Sequence, residues 1–415
     1  MKKIKAGALQ MVTFIIVVIA LFLSAILILM HVHKQFRQQT NHTIEVVKLA
    51  DKGIKYQLSQ KSKAKDTITI PLFDEDYKSL KVKSNFWGIY EKVYAEAQIK
   101  NKQLSKIALV GEQTSMTKTA LVVKDNQTPL VVVGNTKIEG MAHLPERGVK
   151  TGNIAGQSYY GTKPIYGLTK TTKEFPELHA NLQAHLRSMI TQSVFNKNDV
   201  QYVDLNAKKK LTNSFNKVPM LVFSNYDIWL SDIELSGHII IQSHTKIIVD
   251  DTSQLKDVML IAPIIEIRSH TKGTFQAFAT ERITVYEGVQ LKYPSALVLY
   301  GDYEKGKERL MELRPTSQIK GSVLCLGHTQ ADNYDIQLKV ANDVTIEGEI
   351  YCEQNLELRG TVNGSVYTNN FIVKEGGTTY QNHMYNAKIT IKAITEQYVG
   401  LAFDQSPKQV IKWLY

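Results

Sequence analysis

The longest apolar run of the chain lies at its N-terminal end. No residue from position 6 to position 30 is charged, and residues 12–30 are almost all Ile, Val, Leu and Phe. About 20 apolar residues in a helix, at a rise of 1.5 Å per residue, cross the hydrocarbon core of a bilayer. A cleavable signal peptide has a shorter apolar region and a small-x-small exit, which this run lacks. The pattern predicts a membrane anchor over residues 1–31; a buried core helix is the alternative.

A more polar helical segment follows the anchor. Its apolar residues Ile44, Val47 and Ile54 recur with a rough period of 3.6 residues, which is typical of a helix with one apolar face. We expect this helix to continue straight out of the membrane as a stalk. The polar run at residues 61–66 predicts a linker, so the stalk and linker together occupy residues 32–66.

The period then changes from that of a helix to that of strands. Alternating residues predict strands at residues 67–70, 87–95 and 106–110, with a further apolar stretch at residues 120–123. These strands predict a small β-rich domain over residues 67–127.

A later helix is predicted near residues 176–192. Pro176 stands where a first-turn proline belongs, and Leu178, Leu182 and Leu186 recur every four residues. We interpret this helix as an insertion in a larger strand-rich body.

Two interleaved strand series repeat along that body. Ile247, Ile265 and Ile283 begin apolar strands that are 18 residues apart (265 − 247 = 283 − 265 = 18). A second series lies between them and begins at Ile239, Val258, Phe275 and Leu297. A common period of about 18–20 residues is typical of the coils of a parallel β-helix, which bury a continuous core only when stacked. The prediction is a β-helix-like body over residues 128–385, followed by a C-terminal tail over residues 386–415.

A five-residue pattern, apolar-x-Gly-x-apolar, accompanies the repeat. It is centred on Gly140, Gly237, Gly321, Gly348, Gly360 and Gly364. Glycine accepts a positive φ without steric cost, so it suits a sharp corner between two short strands. The predicted fold class is therefore mainly β: an N-terminal transmembrane helix and helical stalk, a small β-rich domain and a parallel β-helix-like body.

The two cysteines have the same offset from corner glycines. Cys325 follows Gly321 by four residues and Cys352 follows Gly348 by four, and the two cysteines are 27 residues apart (352 − 325 = 27). We interpret that distance as one coil plus a loop insertion, which would stack the cysteines at about the 4.8 Å strand spacing. A disulfide tolerates such a Cα separation. Both residues could equally be ordinary buried apolar side chains.

Composition limits the partners and the chemistry. The net charge of +11, with 43% hydrophobic and 21% charged residues, indicates a folded basic protein in anionic surroundings such as lipid headgroups, cell-wall polymers or nucleic acid. The densest basic run, Lys208-Lys209-Lys210, is expected to be a solvated turn, and no specific nucleic-acid motif occurs. Two cysteines without a Cys/His cluster make a structural zinc site improbable.

The sequence contains no catalytic constellation that predicts an activity. P-loop, GxGxxG, GxSxG and HExxH patterns do not occur. Asp250-Asp251 is expected to cap a turn, Glu266 and Arg268 are expected to face solvent by alternation, and His238, His244 and His270 are expected to be solvated at strand ends. No catalytic, cofactor-binding or metal-binding residue is predicted. The sequence favours a protein without enzymatic activity but leaves the point open.

The N-terminus resembles the leader of type IV prepilins and minor pseudopilins. Lys2, Lys3 and Lys5 precede Gly7, and the apolar helix begins at once. The resemblance implies cleavage between Gly7 and Ala8. Most pilins carry Glu at the fifth mature position, where this chain has Val12, but tip-type minor pseudopilins also lack that Glu. A plain, uncleaved anchor is the alternative.

Two further resemblances concern the rest of the chain. Residues 319–373, with their glycine-cornered pentads, resemble bactofilins, which are bacterial cytoskeletal polymers built as compact β-helices. The whole chain resembles an uncharacterised family of anchored proteins from Bacteroidota-type bacteria, through stretches such as Lys292-Tyr-Pro-Ser-Ala296 and Tyr380-Gln-Asn-His-Met-Tyr-Asn386. Neither resemblance assigns a role to any residue.

Together these patterns predict a structural or assembly protein of the bacterial envelope, associated with a pilus or secretion system. The predicted partners are the bilayer, through residues 6–30, and envelope assembly proteins or anionic cell-wall polymers. The basic N-terminal residues favour a single pass through the inner membrane with the N-terminus inside and the body in the periplasm. An anchored carbohydrate-active or polymer-binding β-helix is the alternative function.

Overall fold

A computed structural model gives the arrangement of most of the chain. It describes the following residues: 6–60, 67–72, 77–113, 119–191, 199–205, 209–395, 397–403 and 407–414. The predicted leader residues Lys2, Lys3 and Lys5, the linker at 61–66 and Lys208 lie outside the described residues. The described chain is mainly β, with one long apolar helix at its N-terminal end and a large body of parallel strands. The predicted fold class is confirmed.

The chain divides into two compact units. The first comprises Met1–Gln57, Asp66–Lys83 and Tyr94–Lys106, and the second comprises Leu58–Lys65, Ser84–Val93 and Ile107–Tyr415.

The first unit contains a helix with two different environments. Helix α1 (Ala6–Ser59) is continuous over 54 residues, as the pattern of anchor and stalk predicts. Most of the large apolar side chains between Leu9 and Phe36 are 45–70% exposed. Near its C-terminal end, by contrast, Val46, Ala50 and Ile54 are buried, because they recur at the helical period and form one face.

Strands of the first unit cover that buried face. The N-terminal strands are β1 (Ile68–Thr69), β2 (Lys78–Trp87), β3 (Tyr90–Ile99) and β4 (Lys102–Gln113), and their residues 78–83, 94–99 and 102–106 belong to this unit. A Cβ added to Gly53 would lie 2.9 Å from Leu80 and 3.0 Å from Ala95. The helix therefore approaches the strands closely at Gly53, where no side chain separates them.

The predicted continuous strand at residues 87–95 is wrong. The chain turns between β2 and β3 at Gly88, which has a φ of +62°. Such a backbone conformation suits glycine and ends the strand at Trp87. The alternation across these residues comes from two strands of a hairpin and not from one.

The second unit is built from short strands. The strands from β5 to β13 are β5 (Thr119–Val123), β6 (Leu130–Val133), β7 (Lys137–Glu139), β8 (Met141–Leu144), β9 (Val149–Thr151), β10 (Asn153–Ile154), β11 (Gln157–Ser158), β12 (Ile165–Tyr166) and β13 (Thr169–Thr171). After helix α2 (Ala180–Thr191) come β14 (Gln201–Tyr202), β15 (Lys210–Asn213), β16 (Met220–Ser224), β17 (Ile228–Leu230), β18 (Glu234–Gly237), β19 (Ile239–Ser243), β20 (Lys246–Val249), β21 (Gln254–Ile261), β22 (Ile264–Ile267), β23 (Lys272–Ala279), β24 (Arg282–Val285) and β25 (Gln290–Tyr300). The C-terminal strands are β26 (Leu310–Leu313), β27 (Gln318–Leu326), β28 (Leu338–Val340), β29 (Thr345–Leu358), β30 (Thr361–Glu375), β31 (Thr378–Gln381), β32 (His383–Tyr385), β33 (Lys388–Thr390), β34 (Val399–Gly400) and β35 (Lys408–Leu414).

Most of these strands pair in parallel and stack as coils, which we call the coil body. In register, Ile247 lies beside Ile265 and Ile265 beside Ile283, as the 18-residue period predicts. The second series also pairs, since Leu260 lies beside Ala277 and Ala277 beside Leu297. Their side chains belong to one buried apolar cluster, so the two series form the continuous core of the stack.

The order of the coils differs from the order of the sequence. β30 pairs with β5, β33 with β7 and β32 with β6, all in parallel. The strands from β5 to β13 therefore extend the stack beyond its C-terminal coils. The apolar stretch at residues 120–123, which the sequence groups with the small β-rich domain, belongs to the coil body. The predicted tail at residues 386–415 likewise contains β33 of the stack, and β34 and β35, which pair with β4.

Corner glycines stack on one another along the body. Gly321, Gly348 and Gly364 are register partners with φ values of +139°, +147° and +151°. A Cβ on Gly348 would overlap the carbonyl oxygen of Gly321, and a Cβ on Gly364 would overlap that of Gly348. Neighbouring coils can therefore pack at this spacing only if no side chain is present there. Gly140 and Gly237 also have positive φ values, whereas Gly360 does not.

One face of the stack is buried on its outer side as well. The outward-facing side chains Phe278, Val298 and Leu324 are fully buried. The turn between β2 and β3 binds this face through Gln276, whose Oε1 accepts the Ile89 N–H at 2.9 Å and whose Nε2 donates to the Trp87 carbonyl at 3.0 Å. This face, which we call the covered face, carries the second core of the coil body.

Helix α2 begins later than predicted. Pro176 precedes the helix instead of standing in its first turn, since α2 starts at Ala180. Leu178, Leu182 and Leu186 are all buried, as their spacing predicts. The Tyr351 hydroxyl donates to the Pro176 carbonyl at 2.9 Å, which ties the start of this segment to the covered face.

Candidate functional site

A large concave surface of the second unit lies beside the covered face. This cavity, which we call the outer cleft, has a volume of about 1580 Å³. Its lining includes three carboxylates, of which Glu112 and Glu349 are buried and Glu353 is half-buried, together with four aromatic rings and a basic wall. These are Glu112, Glu349, Glu353, Phe175, Tyr351, Tyr367, Phe403, Lys124, His143, Lys170 and Lys173.

Glu349 is the most strongly perturbed carboxylate of the cleft. It follows corner residue Gly348 and is 3% exposed. Burial, with a smaller contribution from the negative charge of Glu112, raises its pKa to about 7, although a hydrogen bond from the Leu401 N–H opposes the change. That N–H donates to Glu349 Oε2 at 2.7 Å. Glu349 thus titrates near neutral pH while it holds the C-terminal segment.

The other two carboxylates are also bound to the chain itself. Glu112 Oε2 accepts the Phe403 N–H at 2.9 Å. Glu353 Oε2 accepts the Gly327 N–H at 2.7 Å, and burial raises the pKa of Glu353. Each carboxylate therefore satisfies a backbone donor, which is a structural role for a buried acid.

The four aromatic rings form one cluster. The ring centroid of Tyr351 lies 5.6 Å from that of Phe175 and 5.8 Å from that of Phe403, and Tyr367 lies 4.9 Å from Phe403. These separations are typical of favourable aromatic packing. Tyr367, Phe403 and Phe175 are only half-buried, so the cluster offers an apolar floor to the cleft.

The basic wall lies on the strands beyond the C-terminal coils. Lys170 of β13 is the register partner of His143 of β8. Burial and the positive charge of Lys170 lower the pKa of His143. The cleft therefore has lysines at one side and carboxylates at the other.

The structure brings the two cysteines together. Cys325 and Cys352 are register partners on the parallel strands β27 and β29, and both are buried as free thiols in the apolar core. The Cys352 side chain and burial raise the pKa of the Cys325 thiol, which favours the protonated thiol form there.

The residues on either side of the predicted cleavage point, Gly7 and Ala8, lie in the exposed part of α1. A Cβ added to Gly7 would meet no atom within 4 Å outside its own helix, and Ala8 is exposed. A protease could reach this peptide bond from solvent or from a bilayer surface. Cleavage after Gly7 stays a prediction.

The expectation for His238 is wrong, while His244 and His270 are exposed. His238 is buried, and its Nε2 lies 3.1 Å from Lys92 Nζ. Burial, with a smaller contribution from the positive charge of Lys92, lowers the pKa of His238 to about 3. The position after a corner glycine, in Gly237-His238, places the side chain on the covered face and not in solvent.

The remaining polar candidates form local structure. Asp250 Oδ1 accepts the Thr252 N–H at 3.2 Å and the Thr252 hydroxyl at 3.0 Å, which is the turn cap that the sequence predicts. Glu266 forms ion pairs with Lys246 at 3.0 Å and Arg268 at 2.9 Å on the outer surface. Among the described residues, no group of three His, Cys, Asp or Glu side chains is placed to hold a metal ion.

Comparison with known proteins identifies no family. No family model matches the sequence, and no curated protein matches it, so the resemblances to bactofilins and to the Bacteroidota-type family gain no support. Among solved structures, the chain is similar to the crystal structure of the competence-associated pilin ComZ from Thermus thermophilus. The identity is 8%, 90% of this chain and 97% of that chain are covered, and the TM-score is 0.23. Such a low score carries no argument about fold or function.

Proposed function

We propose that this chain is a membrane-anchored structural or assembly protein of the bacterial envelope, of the pseudopilin type. In this proposal α1 crosses the inner membrane with its N-terminus inside, and the coil body lies in the periplasm. The observation that carries the proposal is the contrast within α1 between an exposed apolar part and a buried part packed on strands.

The exposed part of α1 supports the anchor. Within the described ranges, α1 is the one helix long and apolar enough to cross a membrane, and none of its most apolar 18-residue window is buried. Large contiguous apolar surfaces are rare on soluble monomers. A bilayer, or the matching helices of other subunits within one, would remove this surface from water.

The packed part of α1 supports the pseudopilin type. Val46, Leu49, Ala50 and Ile54 are buried, and the helix is unbroken from Ala6 to Ser59. One helix therefore serves both as the anchor and as a core element of the first unit. The resemblance of residues 1–7 to a prepilin leader implies that a prepilin-type peptidase would release Ala8 as the new N-terminus.

Orientation is tested by reporters fused after Tyr415. Alkaline phosphatase folds actively only outside the cytoplasm, and green fluorescent protein exported unfolded stays dark. We expect an active phosphatase fusion and a dark fluorescent fusion. The opposite pair of results would place the body in the cytoplasm and refute the proposal.

Leader cleavage is tested separately by sequencing the N-terminus of membrane-bound protein. We expect Ala8 as the first residue, and we expect Gly7→Asp to retain Met1. Ala6→Asp is the matched control, because it adds the same charge one residue earlier and leaves Gly7 in place. Retention of residues 1–5 in unaltered protein would leave the anchor but remove the pseudopilin assignment.

The outer cleft favours a second candidate function, binding of a polymer. Its half-buried aromatic floor and basic wall could hold a glycan or another anionic polymer. Binding is favoured over hydrolysis because Glu112, Glu349 and Glu353 each accept a backbone N–H. Loss of polymer binding in Tyr367→Ala and in Lys173→Gln, with unaltered binding in Lys256→Gln, would support this function.

A further inference from the structure

The last layer of the coil body has a charge pattern unlike that of the other coils. We call residues 147–173 the terminal coil; it contains the strands from β9 to β13. β9 pairs with β6, β12 with β7 and β13 with β8. Among the described residues, these three strands have no partner on their other edge, so the terminal coil ends the stack.

The terminal coil is basic without interruption. It carries Arg147, Lys150, Lys163, Lys170 and Lys173 and no Asp or Glu, although Glu146 and Glu174 flank it. All five cations are exposed. None of them forms an ion pair within the part of the chain that the structure describes. A surface that holds five cations within one coil attracts an anionic partner.

In coils in the middle of the stack, basic side chains form ion pairs with acidic side chains. Lys246 and Arg268 share Glu266, and Lys339 and Arg314 share Glu312. In those coils, basic side chains alternate with acids in neighbouring layers, so much of the charge is matched within the body. The absence of acids from the terminal coil leaves its positive charge unmatched.

Two large apolar side chains stand among the cations. Leu168 is 74% exposed and Tyr160 is 63% exposed. Their backbone is held in place, since the Tyr160 N–H donates to the Gly134 carbonyl at 3.0 Å and the Leu168 carbonyl accepts the Ala142 N–H at 2.9 Å. The coil thus presents apolar tips and cations together from a fixed backbone.

We propose that the terminal coil docks on the surface of a bilayer that contains anionic phospholipids. Headgroup phosphates bind the cations, and Leu168 and Tyr160 enter the boundary between headgroups and acyl chains. A single-stranded nucleic acid would also attract the lysines, and bases could stack on Tyr160. An exposed leucine gives a base nothing to stack on, whereas it gains from entering lipid, so the observations favour the bilayer.

The test uses the whole chain with its anchor already occupied. The protein is held by α1 in phosphatidylcholine nanodiscs, and vesicles of phosphatidylcholine with or without phosphatidylglycerol are added from outside. Cosedimentation measures binding, with empty nanodiscs as the blank. We expect binding only to vesicles with phosphatidylglycerol, and a fall as salt rises. Equal binding to both kinds of vesicle would overturn the proposal.

A variant with Arg147→Gln, Lys150→Gln and Lys163→Gln removes three cations and leaves the cleft residues Lys170 and Lys173 in place. Each surface cation contributes roughly fivefold to binding, so we expect the loss of three to weaken binding by roughly a hundredfold. The matched control removes the same charge from exposed lysines elsewhere on the body, with Lys256→Gln, Lys272→Gln and Lys292→Gln. An equal loss in the control would mean that only net charge matters and would refute a specific surface.

Leu168→Ser separates the bilayer from the other partners. We expect roughly a threefold or greater loss of vesicle binding from this change. Preferred binding of a single-stranded oligonucleotide, with no effect of Leu168→Ser, would identify a nucleic-acid surface and overturn the proposal. Edge lysines can also guard a strand edge against self-association. If the triple variant forms oligomers but still binds vesicles, the cations only prevent strand pairing between copies of the chain. That result would show that the proposal is wrong.

Discussion

The exposed part of α1 and the interior of the coil body are made of the same residue types. Ile19 in α1 is 52% exposed, whereas Ile283 in the coil body is fully buried. Apolar character therefore does not distinguish the two regions. The length of the apolar runs does: the run in α1 has no charged residue over positions 6–30, while the apolar stretches of the coil body are a few residues long and are separated by polar residues and corner glycines. A long uninterrupted run suits lipid on all sides, and short interrupted stretches suit a core built by the chain itself.

A side chain added at a corner glycine is expected to cause a large loss of stability in the coil body. A Cβ on Gly348 would overlap the Gly321 carbonyl oxygen and lie 2.8 Å from the Tyr398 hydroxyl. Strain at positive φ and overpacking add, so we expect Gly348→Ala to lower the free energy of unfolding by about 4 kcal/mol. Urea unfolding in detergent, followed by circular dichroism, measures the change.

Gly306→Ala is the control for that substitution. Gly306 also has a positive φ, of +86°, but a Cβ there would meet open space. Backbone strain alone should lower the free energy of unfolding by about 1 kcal/mol. Equal losses in the free energy of unfolding at both positions would mean that neighbouring coils are not tightly packed at Gly348.

One substitution in each region tests whether the protein itself buries the apolar side chains there. Ile283→Ala leaves a cavity in the coil core, so we expect a loss of roughly 3.5 kcal/mol in the free energy of unfolding of the body. Ile19→Ala removes a side chain that the protein does not cover, and should change this quantity by less than about 0.5 kcal/mol. A comparable loss from Ile19→Ala would mean that the body packs on this part of α1.

The buried carboxyl group of Glu349 is expected to make the stability of the packed region depend on pH. Glu349 has a pKa of about 7 in the folded chain against 4.5 for an ordinary glutamate. The folded state therefore binds more protons than the unfolded state between these values, and stability falls as pH rises through this window. We expect a decrease of about 3 kcal/mol between pH 4.5 and pH 7 from this group.

Glu349→Gln should remove this pH dependence. The glutamine can still accept the Leu401 N–H through its carbonyl oxygen, but it has no charge to bury. Unfolding curves collected at several pH values for both proteins measure the difference. Identical pH profiles would show that Glu349 is solvated in the folded chain.

Much of the coil body could be predicted from the sequence because its signal is periodic. Ile247, Ile265 and Ile283 repeat at the register distance, and the equal offsets of Cys325 and Cys352 from their glycines correspond to one register position. The order of the coils could not be predicted. β5 and β7 have the same local pattern whether they stack on the first coil or the last, so only tertiary pairing decides.

The outer cleft was harder to predict than the core. Glu349 and Tyr351 alternate with core residues on β29, and alternation assigns them to solvent. Both side chains are covered by the C-terminal segment at Leu401 and Phe403 and by the residues Phe175 and Pro176 before α2. No local pattern encodes contacts so distant in sequence. His238 is misplaced for the same reason. A buried outer face would have been indicated only by the apolar outward positions Phe278, Val298 and Leu324.

The proposed function requires that lipid, and not protein, covers the exposed part of α1. Extraction of cell membranes with alkaline carbonate tests it, because this treatment releases peripheral proteins and retains those that span the bilayer. We expect the intact chain to stay in the pellet and a variant with Ile19→Asp, which places a charge in the apolar run, to be partly released. Release of the intact chain into the soluble fraction would contradict the account.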